Sequence, residues 1–251
     1  MSTKPTWPVG YGHFPCGVVG STLGEARREA GKFPNPTWFT ATRQTAPRGR
    51  RGRAWVEPEG NFAATLAIPV ANPNEAAFRS FIAALALNDA LRAFPGVGDG
   101  TALKWPNDVL LNGRKVAGIL LESLTVQNRI WGVAIGIGVN LAQAPQNNAL
   151  EEGAVAPICL ADVTSNAVSP EDFLAHLACA FDRWETAFQT GGFTVIRTAW
   201  LARAAKLGEV ITARTVRDTF TGTFDTIDDA GQLVLKTAEG RITVPAADVY
   251  F

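Results

Sequence analysis

Histidine and cysteine are scarce in this chain, and that scarcity excludes whole classes of chemistry. Among 251 residues there are two histidines, His13 and His176, and three cysteines, Cys16, Cys159 and Cys179. The cysteines are widely separated, form no CxxC pair and are odd in number, which argues against a disulfide framework. His176 and Cys179 lie three apart on a predicted helix, but two residues make a poor metal site, so both are read as structural. No excess of either charge exists: 23 basic and 23 acidic side chains leave a formal net charge of zero. No global field therefore holds the chain to nucleic acid or a membrane, and any anion binding must be local. The longest apolar run, Phe81 to Leu87, is far too short to cross a bilayer. The N-terminus lacks the basic and apolar regions of a secretory signal. A soluble, cytoplasmic protein with no nucleic-acid or membrane partner is expected.

What is present is an alternation of helical and strand-like periods over the first four-fifths of the chain. Ser21 to Ala30 reads as a short helix with Ser21 or Thr22 near its N-cap. Thr37 to Thr42 and Asn61 to Ile68 read as strands, and Glu75 to Phe94 as a long helix closed by Pro95-Gly96. Strands are expected at Ala102 to Trp105, Asp108 to Leu111, Lys115 to Glu122 and Ile130 to Val139, with Asn112-Gly113 as a hairpin turn. Ser169-Pro170-Glu171-Asp172 opens a helix to about Gln189, and another spans Phe193 to Ala205. Beyond Leu207 four short strands, Val210 to Val216, Thr219 to Ile227, Gln232 to Lys236 and Arg241 to Val244, predict a small antiparallel barrel. The fold class is α/β, of α+β type: a mixed sheet packed with helices over residues 1–205, and a compact all-β module over 206–251.

Two polar segments stand out against this apolar background. Arg48-Gly49-Arg50-Arg51-Gly52-Arg53 places four guanidinium groups within six residues. Its glycines let backbone N–H groups approach a ligand, and its arginines present forks that suit carboxylate and phosphate oxygens. Like charges that repel until an anion arrives make the loop a candidate lid. An RNA-binding tract is the bland alternative, disfavoured because no aromatic platform is interleaved with the arginines. In Lys104-Trp105-Pro106-Asn107-Asp108 the lysine can neutralise phosphate charge, Asn107 can read a heterocycle edge or brace the loop, and Asp108 can hold Mg²⁺. Lys115 opens an apolar strand, and Gly118 within it leaves room for a ligand. Gly136-Ile137-Gly138-Val139-Asn140 lacks the third glycine and the following helix of a dinucleotide fingerprint.

Arg43-Gln44-Thr45-Ala46 leading to Arg48-Gly49-Arg50-Arg51-Gly52-Arg53-Ala54-Trp55, then Lys104-Trp105-Pro106-Asn107-Asp108, Gly113-Arg114-Lys115-Val116-Ala117-Gly118 and Gly136-Ile137-Gly138-Val139-Asn140, resemble in order and spacing the biotin–protein ligases. The resemblance is strong over residues 20–142, and the C-terminal strands fit that family's SH3-like end domain. It implies ATP and biotin as substrates with Mg²⁺, a biotinyl-5'-AMP intermediate, and transfer of biotin to a lysine of a biotin carboxyl carrier protein of acetyl-CoA carboxylase or another carboxylase. It further implies that Ser21, Thr22, Gln44, Arg48, Gly49, Arg50, Lys115 and Gly118 bind biotin, with Lys115, Arg48 and Arg50 also acting in catalysis. Arg51, Trp55, Lys104, Asn107 and Asn140 would bind the nucleotide, and Asp108 the metal. Pro47 stands where the family commonly has glycine, and Leu23 where it has a polar residue. The catalytic motifs begin too early for the DNA-binding helix-turn-helix that some members carry, so a monomeric or homodimeric ligase without repressor activity is expected. A lipoate or octanoate ligase or transferase of the same fold is the alternative.

Overall fold

In the computed structural model, which describes residues 5–53, 55–145 and 155–251, neighbouring residues of the central strands face opposite ways. Trp38, Leu66 and Ile135 enter one buried cluster, and Phe39, Ala67 and Ala134 enter another. Ala54 of the arginine-loop motif lies outside the described residues. The strands are β1 (Gly12–Pro15), β2 (Val18–Val19), β3 (Thr37–Thr40), β4 (Arg43–Gln44) and β5 (Phe62–Pro69). They are followed by β6 (Thr101–Lys104), β7 (Asp108–Leu111), β8 (Arg114–Val126) and β9 (Arg129–Val139). Seven of these form a sheet of order β1-β3-β5-β9-β8-β7-β6, while β2 and β4 pair in a two-stranded parallel ribbon. Only β1–β3 is parallel in the large sheet, so the sheet is mixed.

Helix α1 (Thr22–Arg28) covers the Phe39 side, with Leu23 and Ala26 packed on Ala67, Leu124 and Ala134. Helices α2 (Arg79–Arg92) and α3 (Pro170–Leu201) cover the Trp38 side. Between them Arg79 and Glu185 form a buried ion pair at 2.7 Å. The helix expected over residues 75–94 begins differently: Asn72 caps a 3₁₀ segment, Pro73–Phe78, before α2 starts. Pro73 stands at its first position, where the missing N–H costs no helical hydrogen bond. The two helices expected over 170–189 and 193–205 are one run broken at Gly192, whose φ of 68° and ψ of −171° only glycine adopts freely. Asn112 and Gly113, at φ 50° and 73°, make the expected tight turn between β7 and β8.

The chain closes with β10 (Val210–Arg214), β11 (Thr219–Ile227), β12 (Leu233–Thr237), β13 (Gly240–Val244) and β14 (Asp248–Tyr250). They form one antiparallel sheet of order β13-β12-β11-β10-β14. Its inner residues Ile211, Phe224, Leu233 and Leu235 belong to the same buried cluster as the helices. The indole of Trp105 donates to the Gly231 carbonyl at 3.2 Å, tying this sheet to the β6–β7 turn. Asp248 and Val249 of β14, at the edge of the same sheet, line the cleft.

Candidate active site

The cleft opens over the middle of β8 and β9, where three glycines remove side chains from one face. Gly118 and Gly138 pair directly across the two strands. The ring of Trp55 fills the space they leave: a Cβ built on Gly138 would lie 2.6 Å from it, and one on Gly118 3.0 Å. On Gly136 a Cβ would lie 2.9 Å from Leu23. The cleft holds about 200 Å³.

One wall is built by α1 and β4. Ser21 caps the helix, its Oγ accepting from the Gly24 amide at 3.0 Å. The backbone N–H of Thr22 donates to Gln44 Oε1 at 2.8 Å, and its hydroxyl donates to the same atom at 3.2 Å. Thr65 of β5 donates to the Thr22 hydroxyl at 2.8 Å, and Gln44 Nε2 donates to Glu57 at 2.6 Å. These polar groups are fixed in a connected chain rather than left to solvent.

The arginine loop forms the roof. After Ala46 N donates to Gly20 O at 2.8 Å, the chain folds back so that Gly49 N meets Arg53 O at 2.7 Å. A single 3₁₀ turn, Arg50–Gly52, sits between, with Arg51 and Gly52 at positive φ. Arg50 donates to Asn107 Oδ1 at 3.2 Å, and Arg48 pairs with Glu122 at 3.3 Å. Asp248 of β14 faces Arg50, Arg51 and Arg53 at 3.4, 2.8 and 3.0 Å.

The floor comes from the β6–β7 turn, whose Trp105–Pro106 peptide is cis. Trp105 turns into the core, while Lys104, Pro106, Asn107 and Asp108 line the cleft. Asn107 is held at both ends, accepting from Arg50 and donating to the Ile119 carbonyl at 2.6 Å. Asp108 takes Lys115 Nζ at 2.7 Å on one oxygen and Lys104 Nζ at 3.8 Å on the other. Burial lowers the Lys104 pKa from the ordinary lysine value, against the pull of Asp108. Lys115 also sits 5.6 Å over the Trp55 ring.

Ser21, Thr22, Gln44, Arg48, Gly49, Arg50, Trp55, Lys104, Asn107, Asp108, Lys115 and Gly118 thus meet in one cleft. Arg51 and Asn140 do not line it. Arg51 points to Asp248, and Asn140 is buried, donating to the Ile158 carbonyl at 3.1 Å to brace the end of β9. Sequence reasoning assigned no role to Glu57 or Asp248, which lie in segments without a motif. Gly136 and Gly138 carried a usable signal, because alternate glycines in a strand bare one face. His176 stacks edge-on against Phe94, and Cys179 donates to the Thr6 carbonyl, so the pair is structural.

The donor set does not fit a resident metal. Among the described residues no group of three His, Cys, Asp or Glu gathers, and both carboxylates of the cleft are engaged by cations.

The family described as biotin/lipoate A/B protein ligases matches residues 21–140, and the biotin protein ligase C-terminal domain matches residues 206–251. A biotin–[acetyl-CoA-carboxylase] ligase of Paracoccus denitrificans is 52% identical over 232 residues, covering 92% of this chain and 97% of the relative. The chain belongs to the biotin protein ligases. Within that family, a bifunctional ligase/repressor of Bacillus subtilis is 33% identical over 235 residues, 92% of this chain and 71% of the relative. A biotin protein ligase from Aquifex aeolicus, solved in complex with biotin and ATP, shares the fold with a TM-score of 0.75 at 22% identity. That likeness covers 95% of this chain and 97% of the other. Both polar motif segments lie within the first family match and line the one cleft, and the segment matched by the C-terminal family supplies Asp248 to its roof.

Proposed function

We propose that this biotin protein ligase activates biotin with ATP in the cleft described above and transfers it to a lysine of a biotin carboxyl carrier protein. The observation that supports the site assignment is the convergence of Arg48, Arg50, Lys104 and Lys115 around one cleft beside a neutral hydrogen-bonding wall. A carboxylate and a triphosphate repel each other, and clustered fixed cations offset that repulsion where charge builds up.

In the first step a biotin carboxylate oxygen attacks the α-phosphorus of ATP. An acyl–phosphate C–O–P linkage forms, the bond to the β-phosphate bridging oxygen breaks, and pyrophosphate leaves. In the second, the carrier lysine amine attacks the acyl carbon, an amide forms, and AMP departs with the C–O electron pair while the amine loses a proton. No nucleophile from this chain is required. Ser21, Thr22 and Gln44 hold the ring end of biotin, and Lys115, Arg48 and Arg50 hold the carboxylate and α-phosphate. Trp55 and Asn107 lie beside the adenine, and Lys104 faces the phosphates. Mg²⁺ enters as part of the nucleotide substrate, since it is commonly held by phosphates and water with little protein ligation. Asp108 serves the two lysines, orienting Lys115 toward the reacting centre.

Residues 1–205 act as the catalytic domain and 206–251 as an SH3-like module that fastens the loop through Asp248. Incubation with biotin, ATP, Mg²⁺ and a purified carrier domain should add one biotin to one carrier lysine, read by intact-mass and peptide mass spectrometry. A carrier left unmodified by biotin but acylated by lipoate or octanoate overturns the substrate assignment.

A further inference from the structure

Gln44 is oriented by chemistry at both ends. A backbone N–H only donates, so the Gln44 atom 2.8 Å from Thr22 N is the carbonyl oxygen. The other terminal atom, 2.6 Å from Glu57 Oε2, is therefore the amide nitrogen, and a carboxylate oxygen is its natural acceptor. Glu57 lies two residues after Trp55, in the segment leading to β5, and is not among the cleft's lining residues. Its side-chain hydrogen bond to Gln44 is charge-assisted, hence stronger than a neutral one. Burial pushes the Glu57 carboxyl up, with the Gln44 bond pulling the other way. A partly buried carboxylate is thus kept, at a cost, opposite one amide.

We infer that Glu57 is a positioning residue for the acid-binding wall. It locks the Gln44 amide with its oxygen toward Thr22 and leaves the second Nε2 hydrogen for a carbonyl acceptor on the ligand. The inference rests on the reading above, in which Gln44 faces the ureido ring. The Thr22 hydroxyl gives its only hydrogen to Gln44 and accepts from Thr65, so it offers the ligand no donor of its own. The Ser21 oxygen accepts from Gly24, and its hydroxyl hydrogen stays available. The wall therefore presents donors from Ser21 and Gln44 on one side, a pattern suited to a ureido oxygen. Without Glu57 the amide oxygen stays held by Thr22, but Nε2 loses its one anchor, and the ligand must order that end on binding.

Titration calorimetry with biotin and with desthiobiotin, which keeps the ureido ring, tests this on Glu57→Ala and Glu57→Gln. Glu57→Ala should weaken both ligands about tenfold, the scale of one lost charge-assisted hydrogen bond. The KM for ATP in pyrophosphate release should stay within about twofold. Glu57→Gln, whose amide oxygen still accepts from Gln44, should recover most of the biotin affinity. Unchanged biotin affinity in Glu57→Ala overturns the inference. So does a parallel loss for biotin and ATP, or a Glu57→Gln protein as weak as Glu57→Ala, since either marks general loosening. Wild-type protein that binds no biotin instead overturns the functional reading, before any variant is compared.

Discussion

Asp248 accepts a hydrogen bond from Arg51 at 2.8 Å across 197 residues of sequence. Arg50 and Arg53 approach the same carboxylate at 3.4 and 3.0 Å. One acid on the final strand thus gathers three guanidinium groups that would otherwise repel one another. Each contact is partly solvent-exposed, where single ion pairs contribute only about 0–1 kcal/mol. Their combined effect falls on the loop and not on the global fold. Asp248→Ala should therefore leave the unfolding midpoint nearly unchanged while trypsin cuts the loop several-fold faster. Limited digestion with mass mapping reads this, and equal cleavage rates would remove the fastening role.

Lys115→Ala should lower the rate of adenylate formation on the order of 10²–10³-fold, the usual cost of removing one fixed charge at a developing anionic centre. Asp108 keeps Lys104 nearby, so the fold should survive. Single-turnover pyrophosphate release alongside a thermal melt checks both halves of the expectation.

Gly138→Ala places a methyl 2.6 Å from the Trp55 ring. The strand backbone accepts alanine, but the ring must move. Overpacking of this kind costs about 1–3 kcal/mol. The expected result is a KM for ATP raised at least tenfold, with a changed tryptophan fluorescence response to nucleotide. An unaltered KM would mean that Trp55 does not touch the adenine.

These glycines also show how far the sequence could be read. Ser21, Asn112-Gly113 and Ser169-Pro170 announce their caps and turns because local hydrogen bonding and φ preferences decide them. The cleft motifs were legible because charge and glycine concentrate where backbone must approach an anion. The short strands Gly12–Pro15, Val18–Val19 and Asp248–Tyr250 were not, since two to four residues carry no periodicity. Nor was the meeting of Asp248 with the arginine loop, which joins side chains 195 to 198 positions apart in sequence through tertiary docking alone. Asn140 shows a limit of motif reading: it sits in a motif, and its side-chain amide donates to the chain's own backbone.

Lys104 has its pKa lowered by burial, so it loses its charge at lower pH than an ordinary lysine. The charged form is the one that attracts phosphate. Plotted against pH, kcat/KM for ATP reports the free enzyme. It should fall on the alkaline side before the usual lysine range is reached. Lys104→Arg should move that limb to higher pH, because arginine stays protonated. A limb that does not move assigns the titration elsewhere.

The Arg79–Glu185 pair makes a separate stability test. Both side chains are buried, so Arg79→Ala strands a carboxylate and should cost about 3–5 kcal/mol. Arg79→Met combined with Glu185→Leu should be far milder. Urea unfolding of the three proteins decides it; a double variant as unstable as the single one would contradict the desolvation argument.

The most direct test of the central claim is pyrophosphate release from ATP and Mg²⁺ with biotin, lipoate, octanoate or no acid added. Release with biotin alone is the expected result. Release with lipoate or octanoate in its place, or none with any acid, would contradict the account.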